Sequence, residues 1–420
     1  MEDQLYMTAE EAAAALGVSV ATVYAYVSRK ILRSHKAPGA RASKYWRADV
    51  DRLRAKFPAG ARREVDPLVS QTQITVITQE GPFYRGHSAI TLAETETIES
   101  VAALLWKADQ SAVFPAEAPA SSPAIEAFWP PFAGMSSIDK AMAIFPVIER
   151  ENPRAYDLSA AGFARTAAEA MRWFATIMIG AERPSGAPLH EVVTRRVAQD
   201  EALKDIVRRL LVLSADHELD PTTYAVRAVA NVGMNPYRLI VAGLIASTGR
   251  RLPYGRVESL SRLLDEISAA PDPKSVMVGR LRDGEELPGF GSNQYPLGDP
   301  RAAALLSALN HNLHDDPELK KLNAAIEVAV EVTGLKPDFG LANLFVGRKL
   351  GLTKQEGLTL RLGRMAGWMA HAMEQYLDHD FVRPGAAYVG VLPGNGDAKP
   401  LAGAIEPGAS QRRKSATPKN

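Results

Sequence analysis

Three short segments of this 420-residue chain concentrate side chains that bind carboxylates and move protons. They are residues 216–218 (Asp-His-Glu), 289–292 (Gly-Phe-Gly-Ser) and 299–301 (Asp-Pro-Arg). Imidazole and carboxylate groups transfer protons, and a planar guanidinium binds a carboxylate through two parallel hydrogen bonds. The chain has eight histidines, and none lies between His217 and His311. The second and third segments therefore have no nearby histidine in the sequence that could act as an acid or a base.

The elements that must position these segments are helices. Apolar residues recur at three- and four-residue spacing over 98–106, 159–179, 202–214 and 355–376, which predicts amphipathic helices there. Strand-like alternation is nearly confined to 73–77, before a turn at Gly81-Pro82. These patterns predict an all-α architecture.

Together the segments resemble the signature segments of citrate synthases over roughly residues 70–395. Four further matches carry the resemblance: Phe83-Tyr84-Arg85-Gly86, Pro337-Asp338-Phe339, the run from Arg364 to His371, and Arg383-Pro384 before Tyr388. The resemblance implies a citrate-synthase-like domain over 68–400, built from a large and a small helical lobe. It places the small lobe at about 255–350, inserted in the large one.

Citrate synthases join acetyl-CoA to oxaloacetate. A carboxylate removes a methyl proton, two histidines polarise the thioester and the ketone, and arginines with a further histidine hold the substrate carboxylates. The resemblance implies that Asp338 is the general base and that His217, Arg301, Arg364 and Arg383 hold the substrate, Arg383 reaching the neighbouring subunit's site. Three guanidinium groups suit a dicarboxylate ligand.

The chain departs from the family at both polarising histidines. Ser292 stands at the ketone-polarising position. The other position falls on Leu252, Pro253 or Tyr254, depending on the neighbouring residue used for alignment. Ser292 and Tyr254 donate hydrogen bonds, but neither becomes a cation near neutral pH. Losing a general acid costs about 10²–10⁴ in rate and losing an oxyanion donor about 10²–10³, so we expect weak or lost turnover.

Composition limits the remaining function classes. The chain is 46% hydrophobic with a net charge of +1, which is typical of an ordinary globular protein. It has no cysteine, which excludes disulfides, thiolate metal sites and a cysteine nucleophile, and we expect no metal site. No 18-residue apolar run and no signal-peptide pattern is present, so we expect a cytoplasmic protein without a membrane partner.

A separate basic module precedes the helical region. Residues 18–63 contain twelve Lys and Arg residues against two acids, a net charge of +10. Thr8 and Glu11 have capping-box spacing before one short helix, and Val20–Arg29 form a second after a glycine turn. A two-stranded wing is expected over 31–47. The module, residues 1–62, resembles winged helix-turn-helix headpieces of the MerR and excisionase type.

The candidate contacts of this module follow from that resemblance. The second helix enters the major groove in such headpieces, and the wing contacts phosphates. The first set of candidates is Thr22, Tyr24, Tyr26, Ser28 and Arg29, and the second is Arg33, Lys36, Arg41 and Lys44. The alternative is a module that mediates protein contacts and whose charge is a solvated face.

Three functions remain open from the sequence. The first is a slow acyl-transfer enzyme whose substrates are an oxaloacetate-like acid and acetyl-CoA or another acyl-CoA, with no tightly bound cofactor. The second is a DNA-binding regulator that senses such a ligand. The third is a non-catalytic subunit. We expect a homodimer or a hetero-oligomer with a citrate synthase paralogue, and a disordered tail over 401–420.

Overall fold

The computed structural model describes residues 6–16, 20–28, 32–35, 43–47, 49–50, 71–195, 197, 200–249, 257–352 and 355–377. The chain forms two compact units, and the second of them spans Gln71–Val382. Each unit has its own hydrophobic core.

The N-terminal unit contains two helices and a small antiparallel sheet. Helix α1 spans Ala9–Leu16 and helix α2 spans Val20–Ser28. Strands β1 (Tyr6–Met7), β2 (Ser34–His35) and β3 (Lys44–Trp46) form a sheet in the order β1-β3-β2. The fold agrees with the two helices and the wing predicted from the sequence.

Small apolar side chains make the core of this unit. Ala12, Val23 and Leu32 are almost fully buried, and Tyr45 reaches the same cluster from β3. The predicted capping box is confirmed, because the Glu11 N–H donates to Thr8 Oγ1 and the Thr8 N–H donates to Glu11 Oε2.

The second unit begins with another antiparallel sheet and continues as helices. Strands β4 (Thr75–Thr78), β5 (Gly81–Tyr84) and β6 (His87–Ser88) pair in sequence order. The helices described in this unit are α3 (Ala89–Thr95), α4 (Ile98–Trp106), α5 (Gln110–Val113), α6 (Pro123–Glu126), α7 (Ser137–Glu151), α8 (Ala160–Ile179), α9 (Leu189–Thr194), α10 (Glu201–Leu213), α11 (Pro221–Ala230), α12 (Pro236–Ala246), α13 (Val257–Ala269), α14 (Pro273–Arg282), α15 (Pro300–Asn312), α16 (Pro317–Thr333), α17 (Phe339–Lys349) and α18 (Leu358–Leu377).

The observed helices confirm the all-α prediction and lie close to the four predicted ranges. Ser159 caps α8 by accepting from the Gly162 N–H, and Asp200 caps α10. Within the described residues, no helix is long and apolar enough to cross a lipid bilayer. The boundaries of the small lobe remain a prediction.

Helix α18 is the central element of the second unit. It packs against α4, α8, α10, α11 and α12. Its side chains from Leu358 to Ala372 are buried, including the polar residues Arg361, Arg364 and His371. A helix with buried polar groups on several sides needs partners on the elements around it.

Glycines let α18 approach its neighbours closely. The Gly367 N–H donates to the Ala215 carbonyl at 2.9 Å, and a Cβ at Gly367 would overlap the Asp216 side chain. A Cβ at Gly363 would overlap Ser214 Oγ and the Leu211 carbonyl. Both glycines therefore hold α18 against the end of α10 and the segment that follows it.

This contact makes a prediction about stability. We expect Gly367→Ala to lower the free energy of unfolding by about 1–3 kcal/mol, because the added methyl group has no room. The matched control is Gly279→Ala in α14, where a Cβ meets no atom within 4 Å. Better helix propensity should make that variant about 0.5–1 kcal/mol more stable. Urea unfolding followed by circular dichroism measures both, and equal stabilities would contradict the account.

Candidate functional site

The site is organised around the turn that follows α10. The Asp216 N–H donates to the Tyr84 hydroxyl at 3.3 Å, and that hydroxyl also lies 3.1 Å from the Val212 carbonyl. Tyr84 is fully buried, and burial raises the pKa of its phenol above the ordinary value, so it stays neutral. The strand β5 thereby fixes the backbone of the turn.

The turn itself has a constrained backbone. Glu218 has φ of 61°, a left-handed conformation that non-glycine residues adopt at a cost. The Glu218 N–H donates to Asp216 Oδ2 at 3.1 Å, which helps to hold this conformation. The turn presents His217 from a fixed position next to Asp216.

Asp216 is a fully buried carboxylate with two basic neighbours from α18. Its Oδ2 lies 3.2 Å from His371 Nε2, and its Oδ1 lies 4.0 Å from Arg364 Nη1. Burial acts to raise the pKa of Asp216, but attraction from His371 and Arg364 outweighs it and holds that pKa below the ordinary value. The predicted substrate residue Arg364 therefore lies beside an anion of the chain itself.

The predicted substrate-holding histidine, His217, is buried and bonded to Tyr295. His217 Nε2 lies 3.0 Å from the Tyr295 hydroxyl. Burial, together with the charges of Arg301 and Arg364, lowers the pKa of His217 well below its usual range. Burial raises the pKa of Tyr295 to about 12. At neutral pH the pair is therefore a neutral imidazole and a neutral phenol.

Arg301 lies in the first turn of α15 and is held by Asp299. Its Nε and Nη2 donate to the two carboxylate oxygens of Asp299 at 3.1 and 2.7 Å, the fork geometry that a guanidinium offers a ligand carboxylate. The guanidinium also lies 4.7 Å from the centroid of the Phe339 ring, a cation–π contact. Arg301 is thus buried and already paired.

Asp338, the predicted general base, caps helix α17. Its Oδ1 accepts from the Leu341 N–H at 3.0 Å, and its own N–H donates to the Gly289 carbonyl at 2.8 Å. Burial, supported by the charge of Asp299, raises the pKa of Asp338 above its ordinary value although Arg301 opposes the shift. The raised pKa is the direction that a general base needs.

Ser292 has a structural role in the turn after Gly291. Its Oγ accepts from the Gln294 and Tyr295 N–H groups at 3.3 and 3.2 Å. Gly289 has φ of 85° and packs against Leu341, so a side chain there would be strained as well as crowded. The turn brings Tyr295, rather than the residue at 292, into contact with His217.

The structure therefore brings together His217, Arg301, Arg364 and Asp338 in the second unit. Tyr254 and Arg383 lie outside the described residues, as do the headpiece candidates Arg29, Lys36 and Arg41. The described part of the chain contains no cluster of three or more His, Asp or Glu side chains arranged to hold a metal ion.

The sequence analysis missed three side chains at this site. Tyr295 and Asp220 lie just outside the three segments with which the sequence analysis began, and His371 was named there without a role. His371 bonds Asp216. The signal for His371 was a histidine directly after six residues, 365–370, that are apolar or glycine, since a buried polar group needs a partner.

The described headpiece candidates differ in exposure. Tyr24 is 55% exposed on α2, whereas Tyr26 is partly buried against the core. Arg33 is committed to Asp49 through two hydrogen bonds of 2.8 and 2.9 Å, and it lies 5.1 Å from the Trp46 ring centroid. This pairing weakens the case for Arg33 as a phosphate contact. Lys44 is exposed on β3.

Comparison with models of known families shows which family the second unit matches. The family model described as "Citrate synthase, C-terminal domain" matches residues 65–385, about three quarters of the chain. The chain belongs to the citrate synthase family. A helix-turn-helix domain model matches residues 6–56, so both predicted modules are present.

Proteins similar in sequence include a citrate synthase and a 2-methylcitrate synthase. Citrate synthase 2 of Bacillus subtilis is 30% identical over 186 residues, and 2-methylcitrate synthase of Shewanella oneidensis is 30% identical over 190 residues. These matches cover 43% and 44% of this chain and 50% of each relative. The chain therefore spans about half the length of the curated relatives it matches.

Solved structures show the same fold. The citrate synthase of Pyrobaculum aerophilum superposes with a TM-score of 0.64 at 19% identity, covering 77% of this chain and 91% of that one. The Thermoplasma acidophilum citrate synthase, solved as a ternary complex with carboxymethyl coenzyme A and oxaloacetate, gives a TM-score of 0.62 at 19% identity and covers 77% and 94%.

The neutral state of His217 predicts a dependence of stability on pH. The unfolded chain binds a proton at this histidine below about pH 6.5, whereas the folded chain does not, so acidification favours unfolding. We expect His217→Gln to remove about 1.5 kcal/mol of the loss in unfolding free energy between pH 6.5 and 5. The control is His311→Gln, at an exposed histidine on α15. An unchanged pH slope in His217→Gln would show that the imidazole is not buried in its neutral form.

Proposed function

We propose that the second unit binds an oxaloacetate-like dicarboxylate and an acyl-CoA, with weak or no acyl transfer. The observation that carries this proposal is a difference between the residues predicted to bind the ligand and the residue at a polarising position. His217, Arg301 and Arg364 lie in one buried site, whereas the Ser292 hydroxyl caps a turn. The solved relative in complex with oxaloacetate and carboxymethyl coenzyme A supports the ligand class.

The chemistry that remains is limited by the groups available. Asp338, with its raised pKa, is suited to remove a methyl proton from an acyl thioester. The enolate oxygen then needs a preplaced donor, and the ketone under attack needs another. Hydroxyl groups such as those of Tyr254 and Ser292, respectively, give weaker donors than imidazolium ions. A slow acyltransferase is the enzymatic form of the proposal.

The proposal extends to assembly and location. We expect a cytoplasmic homodimer, or a hetero-oligomer with a citrate synthase paralogue in which Arg383 reaches the partner's site. In the hetero-oligomer the paralogue supplies the turnover and this chain supplies a ligand-binding subunit. No tightly bound cofactor is required by this scheme, since the acyl-CoA acts as substrate or ligand.

Binding is tested by titrating the purified full chain with oxaloacetate in a calorimeter. We expect Arg301→Lys to weaken binding by roughly ten- to a hundredfold, because a lysine keeps the charge but loses the two parallel hydrogen bonds. The matched control is Arg280→Lys, since Arg280 is also paired with carboxylates, those of Glu266 and Glu285. Circular dichroism checks the fold of both variants. No binding by the unchanged protein at millimolar oxaloacetate would contradict the proposal.

A second candidate function is DNA binding by the headpiece, with the ligand as a regulator. The helix-turn-helix match and the excess of ten positive charges over residues 18–63 support it. A ligand that favours one conformation of the second unit would change the affinity of a dimer for its DNA operator. DNA binding would change the affinity for the ligand by the same coupling free energy.

DNA binding is tested against salt with pooled genomic fragments. Without Arg33, four basic candidates remain for phosphate contacts: Arg29, Lys36, Arg41 and Lys44. Each neutralised phosphate contributes about −0.9 to the slope of log K against log salt, so four give a slope of about −3.6. Tyr24→Ala should weaken binding about tenfold, because the exposed ring lies on the predicted recognition helix. Tyr156→Ala, at a tyrosine with 64% exposure in the second unit, is the control. Binding without salt dependence would overturn the regulatory function.

A further inference from the structure

One carboxylate near Arg364, that of Asp220, is not among the site residues predicted from the sequence. Asp220 Oδ2 lies 3.9 Å from Arg364 Nη2, and within the described part of the chain this oxygen is buried and accepts no hydrogen bond. The side chain of Arg364 is 2% exposed and that of Asp220 is 15% exposed. A buried carboxylate oxygen at ion-pair distance from a guanidinium, without a hydrogen bond of its own, is attracted chiefly by charge.

The charges around Arg364 are unequal. Arg364 faces two carboxylates, since Asp216 Oδ1 lies 4.0 Å from its Nη1 on the other side. Asp216 has a second partner in His371, at 3.2 Å, and Arg301 is matched by Asp299 at 2.7 Å. Within the described residues, Asp220 is the one of these three carboxylates that accepts no hydrogen bond from a basic side chain.

We propose that Asp220 is a specificity-determining residue that competes with a ligand carboxylate for the Arg364 guanidinium. This inference rests on the proposed ligand-binding function. A ligand carboxylate bonded to Arg364 lies about 2.8 Å from its nitrogens, and a carboxylate that is 3.9 Å from Nη2 then repels it. Asp220 therefore disfavours dianionic ligands more strongly than monoanionic ones.

The local role of Asp220 decides which substitutions test this proposal. Its Oδ1 accepts from the Thr223 N–H at 2.7 Å and caps α11, ahead of Pro221. Asparagine and serine cap helices about as well as aspartate but carry no charge. Asp220→Asn and Asp220→Ser therefore remove the charge and keep the cap, and the two variants check each other.

The matched control is Asp272→Asn. Asp272 caps α14 ahead of Pro273, accepts from the Lys274 N–H at 3.1 Å, and is exposed. It has the same helix-capping role and the same following proline as Asp220, on a helix that contributes no residue to the site. Its substitution reports what the loss of a capping charge does by itself.

The experiment measures dissociation constants for oxaloacetate, a dianion, and pyruvate, a monoanion, on the full chain by calorimetry. We expect both Asp220 variants to bind oxaloacetate at least about tenfold more tightly than the unchanged chain, and pyruvate less than about threefold more tightly. Asp272→Asn should leave both constants unchanged. Thermal unfolding confirms that all variants are folded.

The outcomes separate this inference from the function on which it rests. If the unchanged chain binds oxaloacetate and both Asp220 variants bind it equally well, the inference is wrong and the proposed function stands. An equal gain for pyruvate also overturns it, because a general loosening of the pocket would produce that result. If only the variants bind oxaloacetate, the inference is supported and the function proposed for the unchanged chain fails. If none of the proteins binds it, both proposals fail.

Discussion

The close approach of α18 to the end of α10 is the contact on which the site depends. Gly363 and Gly367 leave no side chain between the two elements, and the Gly367 N–H bonds the Ala215 carbonyl. As a result Arg364 and His371, on either side of Gly367, reach Asp216. The turn that carries His217 is then held by two contacts, one with α18 and one with the Tyr84 hydroxyl.

In this arrangement the two buried guanidinium groups of the site have carboxylate partners from the chain. Asp299 holds Arg301, and Asp216 and Asp220 flank Arg364, while His217 stays neutral beside Tyr295. Under the proposed function, a carboxylate ligand enters by exchanging partners with these groups, not by filling an excess of positive charge. Breaking a buried ion pair is costly unless the new partner restores the hydrogen bonds, so such a site is selective for shape and charge and need not bind tightly.

The fold was largely predictable from the sequence, and the site only in part. Periodicity located α4 within its observed bounds because one face of that helix is apolar. The resemblance predicted roles for Arg301 and Asp338, but spacing carries no information on which carboxylate a guanidinium selects. The pairings of Arg301 with Asp299 and of Arg33 with Asp49 depend on rotamers and burial. Tyr295 was missed for the same reason, since its contact with His217 joins residues 78 positions apart.

The expected loss of both polarising histidines and the proposed binding groups lead to one central proposal: the second unit binds its ligand and turns it over slowly or not at all. The most direct measurement is thiol release from acetyl-CoA in the presence of oxaloacetate, with an active citrate synthase of the family assayed beside it. The account predicts a rate at least about 10²–10³ below that enzyme. Release within a few-fold of it, abolished by Asp338→Ala, would contradict the claim and show that other groups of this chain have replaced the histidines.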